Sequence, residues 1–276
     1  MIVFPNSKIN LGLRVIRKRK DNYHDIETVF YPLALCDILE IIPLTKSPRG
    51  PGIPFSKSGF GIEGEIDNNL CLKAYRILKN DFPKLPAVQI HLHKGVPAGA
   101  GLGGGSADAA FTLKLLNEEF GLGLSKSLLI DYAVQLGSDC AFFIINTPCY
   151  ATSKGEQLEP IGLDLSAYKF VIVNPGIRID TGQAFLYVSA SRPERTINEI
   201  LTEPLERWKD ELYNDFELPA FKKYPEIVEI KDRLYIAGAI FASMSGSGST
   251  VFGIFPKTKP ISFSFPSNYF VHESAG

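Results

Sequence analysis

"KGVPAGAGLGGGSADAAFTLKLLNEEFG" runs from Lys94 to Gly121 and places six glycines between Gly95 and Gly105. Glycine loses more backbone freedom on folding than any other residue, so a cluster of this density needs a compensating reason. A floppy linker is one, but the flanks argue against it. In "VQIHLH", Val88, Ile90 and Leu92 alternate with Gln89, His91 and His93, the pattern of a half-buried strand. Beyond the glycines, Ala107, Ala110, Leu113, Leu115, Leu116 and Phe120 can form the apolar stripe of a helix that stops at Gly121. A glycine turn leading from a strand into a helix N-terminus is an anion site, because free N–H groups and the positive end of the helix dipole face the loop. The stretch therefore predicts phosphate binding.

The loop is not a Walker A loop, since no lysine follows the glycines in G-x-x-x-x-G-K-[ST]. Gly99, Gly101 and Gly104 satisfy G-x-G-x-x-G, yet a dinucleotide fold needs a strand after the helix that ends in an acidic residue. Glu118 and Glu119 lie inside the helix pattern, and Ser125 to Leu136 reads as a further helix, which disfavours that fold.

The chain has 276 residues, 45% hydrophobic and 21% charged, enough for one large or two smaller globular domains. A net charge of −1 gives no electrostatic case for nucleic acid. The basic run "RVIRKRK" (Arg14 to Lys20) reads as a solvated hairpin tip. Cys36, Cys71, Cys140 and Cys149 are widely spaced and read as reduced thiols, neither a disulfide frame nor a zinc site. His91 and His93 share a strand face without a third ligand, so no metal site is expected there. The opening "MIVFPNSKIN" lacks a signal-peptide pattern and no run of about 18 apolar residues exists, so a cytoplasmic protein without membrane contact is expected.

Residues 1–45 read mainly as strands, with Ile9, Leu11, Leu13 and Val15 alternating. "SPRGPGIPFSKSGFG" (Ser47 to Gly61) reads as loop. Asn68 or Asn69 can cap a helix bearing Leu72, Tyr75 and Leu78, and Ser125 the helix bearing Leu128, Leu129 and Leu136. The pattern resets near Pro148, which suggests an N-terminal domain over 1–150 and a C-terminal domain over 151–276. The second half holds a strand from Tyr168 to Val173, a helix from near Asp180, a helical stretch from Pro204 to Leu234, and "GAIFASMSGSGSTVFGIF". Strands and helices mix without βαβ spacing, which predicts an α+β fold.

Phosphoryl transfer to an alcohol needs more than a phosphate loop. The nucleophile must be aligned and charge on the γ-phosphoryl oxygens countered. Lys8, before an apolar strand, can supply the charge. Asp139, between a glycine turn and the apolar "CAFFII", can orient a hydroxyl and take its proton.

With these residues in view, three ordered stretches are decisive. "PNSKINLGLRV", "PAGAGLGGGSADAA" and "ASMSGSGSTVFGIF" resemble the three motifs of the GHMP kinases and span both halves of the chain. The resemblance implies a two-domain α+β fold with the active site in the cleft between domains, ATP as co-substrate and Mg²⁺ in attendance. Pro97, Ala98, Gly99, Ala100, Gly101, Leu102, Gly103, Gly104, Gly105, Ser106 and Ala107 match the family's ATP loop, with Ser106 at the helix start beside phosphate or Mg²⁺. Lys8 and Asp139 match the catalytic pair, and Asn10 a neighbour of the acceptor. Gly246 and Gly248 fall in the third motif, which supports the ATP loop in that family.

"KDNYHDIETVFYPLALCDILEI" and "LGSDCAFF" narrow the resemblance to members that phosphorylate the 2-hydroxyl of a cytidine-diphosphate-linked methylerythritol in non-mevalonate isoprenoid synthesis. Tyr23 and His24 then match the cytosine site, Phe185 its opposite wall, and Thr181 a position near the reacting centre. Asn22 stands where these members usually carry glycine, and Ser138-Asp139-Cys140-Ala141 where Ala-Asp-Val-Pro is usual. A kinase of another small alcohol, such as mevalonate or homoserine, and a non-catalytic sensor on the same fold are the alternatives.

Overall fold

The computed structural model describes residues 1–45, 52–60 and 66–275. Two compact units divide the chain discontinuously. The first comprises Met1–Ser7, Leu35–Ala98 and Gly103–Asn146, and the second Lys8–Ala34, Gly99–Leu102 and Thr147–Gly276.

The first unit is built on the sheet order β1-β4-β6-β5, from β1 (Ile2–Val3), β4 (Ile38–Pro43), β6 (Val88–Lys94) and β5 (Phe55–Gly59). The expected alternation in β6 holds: Val88, Ile90 and Leu92 are buried while Gln89 and His93 are exposed. β5 corrects the reading of Ser47–Gly61 as loop. Phe55–Gly59 pairs in parallel with β6, and Ser56 and Ser58 hydrogen-bond His91 and His93 across the strands. Cross-strand pairing, rather than apolar pattern, makes this segment a strand. Residues 46–51 and 61 lie outside the described residues.

Four helices of this unit pack on one another: α1 (Leu70–Asp81), α2 (Gly104–Glu119), α3 (Lys126–Leu136) and α4 (Cys140–Ile145). Side-chain caps set two of the starts as expected. Asn69 accepts from the Cys71 N–H at 2.9 Å and Ser125 from the Leu128 N–H at 3.3 Å. Leu39, Ile41, Leu72, Leu78, Ile90, Leu113, Leu116, Phe142 and Phe143 form the core beneath. α3 follows α2 directly, so the strand a dinucleotide fold would require is absent at that point.

In the second unit β2 (Asn6–Lys18), β3 (His24–Cys36), β7 (Cys149–Thr152) and β8 (Gln157–Pro160) form one sheet in the order β2-β3-β7-β8. A second sheet, ordered β10-β11-β9-β12, joins β10 (Phe241–Met244), β11 (Val251–Pro256), β9 (Tyr168–Asn174) and β12 (Phe270–Ala275). The helices of this unit are α5 (Thr181–Ala184), α6 (Ile197–Ile200), α7 (Trp208–Glu211), α8 (Glu217–Lys223) and α9 (Pro225–Ile236). Leu13, Val15, Val171, Val173, Phe216, Ile227, Ile230, Leu234, Val251 and Phe255 pack into its core.

β2 departs from a half-buried strand, because every residue from Ser7 to Val15 is buried. Arg14, expected at a solvated hairpin tip, is 2% exposed. Its guanidinium donates to the carbonyls of Arg195 at 2.6 Å and Glu211 at 3.1 Å and lies 3.7 Å from the buried Glu27 carboxylate. Burying a guanidinium requires partners for its charge and donors. Here two carbonyls take hydrogen bonds from its terminal nitrogens and the Glu27 carboxylate balances its charge, while among the described residues Nε has no partner. Arg17 and Arg19, further along, do form a hairpin end, both paired with Asp25.

Candidate active site

The glycine loop leaves β6 at Lys94 and enters α2 at Gly104. Gly99, Gly101 and Gly103 have φ of 63°, 79° and 71°, the left-handed region that disfavours side chains. Gly103 is the N-cap of α2 and has no side chain to satisfy the first helical N–H groups. Ser106 is the third residue of α2. Unsatisfied donors at the start of a sixteen-residue helix suit an anion.

Inside the second unit the three sequence motifs meet on residues 100–102. The Lys8 N–H donates to the Leu102 carbonyl at 2.9 Å, and the Thr250 N–H to the Ala100 carbonyl at 3.4 Å. The Ser245 hydroxyl donates to the Gly101 carbonyl at 2.8 Å and accepts from the Asn10 N–H at 3.2 Å. A Cβ on Gly101 would stand 2.0 Å from the Ser245 carbonyl oxygen, and one on Gly246 3.3 Å from Gly101 Cα. Backbone is packed on backbone here, and that contact requires the glycines.

Lys8 is 3% exposed. Its ammonium donates to Asn10 Oδ1 at 2.6 Å and lies 4.9 Å from the Phe30 ring centroid. Asn10 in turn donates through Nδ2 to Thr28 Oγ1 at 3.0 Å, and Thr28 to the Gly12 carbonyl. The chain Lys8–Asn10–Thr28 fixes the ammonium at one rotamer. Lys8 belongs to the second unit and Asp139 to the first.

Asp139 is half-buried, with φ −76° and ψ −13°, and immediately precedes α4. The chain after it runs straight into a helix without the proline usual at that place. The Ser138 hydroxyl is 3.4 Å from its Oδ1. The buried Cys140 thiol beside it is raised to about 12 by burial, partly opposed by a hydrogen bond with Ser106, so it stays neutral.

His24 and Phe185 lie ring on ring, centroids 4.5 Å apart and planes 6° apart. Phe185 also meets Phe216 edge-on at 4.9 Å, which fixes it against the core of its unit. Burial and the positive charge of Lys18 lower the His24 pKa, so the imidazole is neutral near pH 7. Tyr23 is 61% exposed, with the Lys154 ammonium 4.9 Å from its ring centroid. The ring that faces Phe185 is therefore that of His24, not of Tyr23. Asn22 has φ 66°, which explains its place where glycine is usual, since Asn is among the few side chains that tolerate this region. Thr181, the first residue of α5, shares a 2.8 Å hydrogen bond with Ser247.

Two groups escaped the sequence reading. Asn214 donates to the carbonyls of Met244 and Gly246, each at 2.8 Å, and accepts from the Phe216 N–H, bracing the third motif. Lys94, Asp37 and Asp108 form a buried ionic cluster in the first unit. Neither has a local sequence signature.

Residues 69–147 match the model of the GHMP kinases N terminal domain and residues 197–263 that of the GHMP kinases C terminal. The chain is 51% identical over 264 residues to the 4-diphosphocytidyl-2-C-methyl-D-erythritol kinase of Cytophaga hutchinsonii, covering 95% of each. The chain belongs to the GHMP kinase family. Another kinase of the same name, from Bacteroides fragilis, is 49% identical over 261 residues, covering 95% of this GHMP kinase and 94% of its relative. A crystal structure of a 4-(cytidine 5'-diphospho)-2C-methyl-D-erythritol kinase superimposes with TM-score 0.78 at 28% identity over all of both chains. The mevalonate kinase of Methanococcus jannaschii shares the fold, with TM-score 0.66 at 16% identity over 92% of this chain and 90% of that one. Among the described residues no helix is long and apolar enough to cross a membrane.

Proposed function

We propose that this GHMP kinase transfers the γ-phosphoryl group of ATP to the 2-hydroxyl of 4-diphosphocytidyl-2-C-methyl-D-erythritol, giving the 2-phosphate and ADP in non-mevalonate isoprenoid precursor synthesis. The observation that carries the reading is the exposed ring of Tyr23, next in sequence to His24. The ring of His24 is itself closed on Phe185 at 4.5 Å with no gap for a base between them, so that Tyr23 offers the free aromatic face. Aromatic faces of this kind hold a nucleobase, and the neutral His24 imidazole offers one donor and one acceptor to the polar edge of cytosine. Mevalonate and homoserine have no base to stack. The near-half identity with kinases named for the cytidylyl substrate supports the same choice.

In this reading residues 97–107 cradle the triphosphate, which arrives as its Mg²⁺ complex, with Ser106 in the first turn of α2 beside phosphate or metal. Asp139 orients the 2-hydroxyl and takes its proton as the oxygen attacks the γ-phosphorus. The bond from that phosphorus to the β–γ bridging oxygen breaks, and ADP carries away the electron pair. Lys8, fixed through Asn10, balances charge on the transferring oxygens. Thr181 stands near the acceptor. A localisation in the cytoplasm accords with this substrate.

Tyr23→Leu tests the base site. Base–aromatic stacking is worth roughly 1–3 kcal/mol, so KM for the cytidylyl substrate should rise about fivefold to a hundredfold while KM for ATP stays put. Phe185→Leu should act in the same direction, and Tyr23→Phe should be close to neutral. Equal rises in both KM values would defeat the assignment.

A further inference from the structure

The cluster behind the loop is more specific than burial requires. Asp37 is fully buried, Lys94 is 4% exposed and Asp108 3% exposed. The Lys94 ammonium donates to Asp37 Oδ2 and, at 2.8 Å, to Asp108 Oδ2. Asp37 Oδ1 accepts from the N–H groups of Gly95 and Val96, both at 2.8 Å, the first two residues of the loop. Asp108 belongs to the second turn of α2, and among the described residues its Oδ1 has no hydrogen-bond partner. A Cβ on Gly104, the first residue of α2, would come 3.1 Å from the Lys94 ammonium and 3.3 Å from Asp37 Oδ2. The cluster is thus seated directly against the first turn of the helix whose N-terminus receives phosphate.

We infer that Lys94 is a positioning residue for ATP: held between Asp37 and Asp108, it neutralises the carboxylates behind the first turn of α2 and fixes the entry to the glycine loop. The inference rests on residues 97–107 being the ATP loop. Two carboxylates at the back of an anion site oppose the ligand through a low-dielectric medium where screening is weak. One ammonium placed between them removes most of that opposition. Its bonds also tie the strand exit, the β3–β4 junction and α2 into one body. A purely structural ionic cluster would contribute little, since buried triads are often replaceable by apolar side chains without loss of stability.

The groups that face the cluster agree. Burial drives the Lys94 pKa down, but the two carboxylates outweigh it and the ammonium stays charged. Burial and Asp37 raise Asp108 against the pull of Lys94. The Cys71 thiol on α1 and the Cys36 thiol at the end of β3 are raised by burial and by the same carboxylates, so both remain neutral. Among the described residues Lys94 is the one cation in the group.

The test is Lys94→Met in the full chain, compared with wild type at each pH so that the ionisation of ATP cancels. At about pH 9 the KM for ATP should rise about tenfold or more, with KM for the cytidylyl alcohol within about twofold. The rise should shrink as pH falls toward about 7, because without the Lys94 ammonium the buried carboxylates take up protons at a higher pH than the paired Asp108 does and lose their charge. Lys94→Met/Asp108→Asn removes one carboxylate with its shape kept. It should recover at least about threefold of the lost ATP affinity, and it serves alone, against wild type and by its own pH dependence, if the single variant does not fold. An ATP KM within about twofold of wild type, or a rise that is independent of pH and equal for both substrates, would overturn the inference. Gly103→Val in the same assay separates the two readings. If it leaves ATP affinity intact, the loop assignment has failed. If it abolishes ATP binding while Lys94→Met does not weaken it, only the role of Lys94 has failed.

Discussion

Gly101→Ala and Gly99→Ala add the same methyl group two residues apart in one loop, yet the structure gives them different consequences. Both glycines are left-handed, at φ 79° and 63°, so each alanine incurs the strain of that region, roughly 1–2 kcal/mol. At Gly99 nothing lies within 4 Å of the added Cβ, and the strain is the whole effect. At Gly101 the Cβ would stand 2.0 Å from the Ser245 carbonyl oxygen and 3.3 Å from that of Gly248. Cβ contacts under 3.0 Å essentially never occur, so backbone must move by about 1 Å on one side or the other. Overpacking of this kind costs a further 1–3 kcal/mol or so, giving about 2–5 kcal/mol in all. It would also break the Ser245 to Gly101 hydrogen bond and loosen residues 100–102. The single tryptophan, Trp208, is buried in the same unit, so its fluorescence in a urea titration reports the unfolding of that unit. Gly101→Ala should lose more stability than Gly99→Ala by at least about 1 kcal/mol and bind ATP more weakly in calorimetry. Equal stabilities of the two variants would refute the claim that the third motif presses on the loop backbone.

Asp139→Asn should lower kcat by a factor of about 10² to 10⁴ with folding and ATP binding kept, and turnover within about threefold of wild type would remove Asp139 from the chemistry. Asn214→Ala should destabilise the second unit by about 2–3 kcal/mol, read from Trp208, because two buried carbonyls and one N–H lose their partner. Asp108, raised by burial to about 7 against the pull of Lys94, is a carboxylate above that pH, and only between the ordinary carboxylate range and about pH 7 does the folded chain hold a proton there that the unfolded chain releases. Its contribution to stability is complete below the ordinary carboxylate range and is lost as pH rises toward about 7. The Tm of Asp108→Asn relative to wild type should therefore increase between about pH 5 and about pH 8, and a flat difference would contradict the raised pKa.

What could be read from the sequence was whatever repeats over a few residues. Asn69 and Ser125 marked helix starts because a cap is a local event, and the β6 alternation survived because one face of that strand is open. The glycine loop was legible because left-handed backbone admits few other residues. The meeting of the three motifs followed only from resemblance, since Lys8, Gly101 and Ser245 are joined by hydrogen bonds between residues far apart in the chain. Lys94, Asp37 and Asp108 carry no local pattern that singles them out. Their pairing spans separations of 57 and 14 residues that no periodicity records. Arg14 was misread for the same reason: its partners lie on a segment some two hundred residues away. The expected boundary near residue 150 falls between the two family matches, while the compact units group Lys8–Ala34 and Gly99–Leu102 with the later residues. β3 pairs with β7, which draws the early hairpin into the second unit. The stack of His24 on Phe185, in place of Tyr23, is a matter of which neighbouring ring turns inward, and two adjacent aromatic residues leave that open.

The choice of acceptor is decided by ADP release measured side by side with 4-diphosphocytidyl-2-C-methyl-D-erythritol, mevalonate and homoserine. Release with the cytidylyl alcohol should depend on ATP and Mg²⁺, with kcat/KM at least about a hundredfold above either of the others, as expected when aromatic and polar base contacts are both lost. Release with mevalonate or homoserine at a comparable rate, or no release with any of the three, would contradict it.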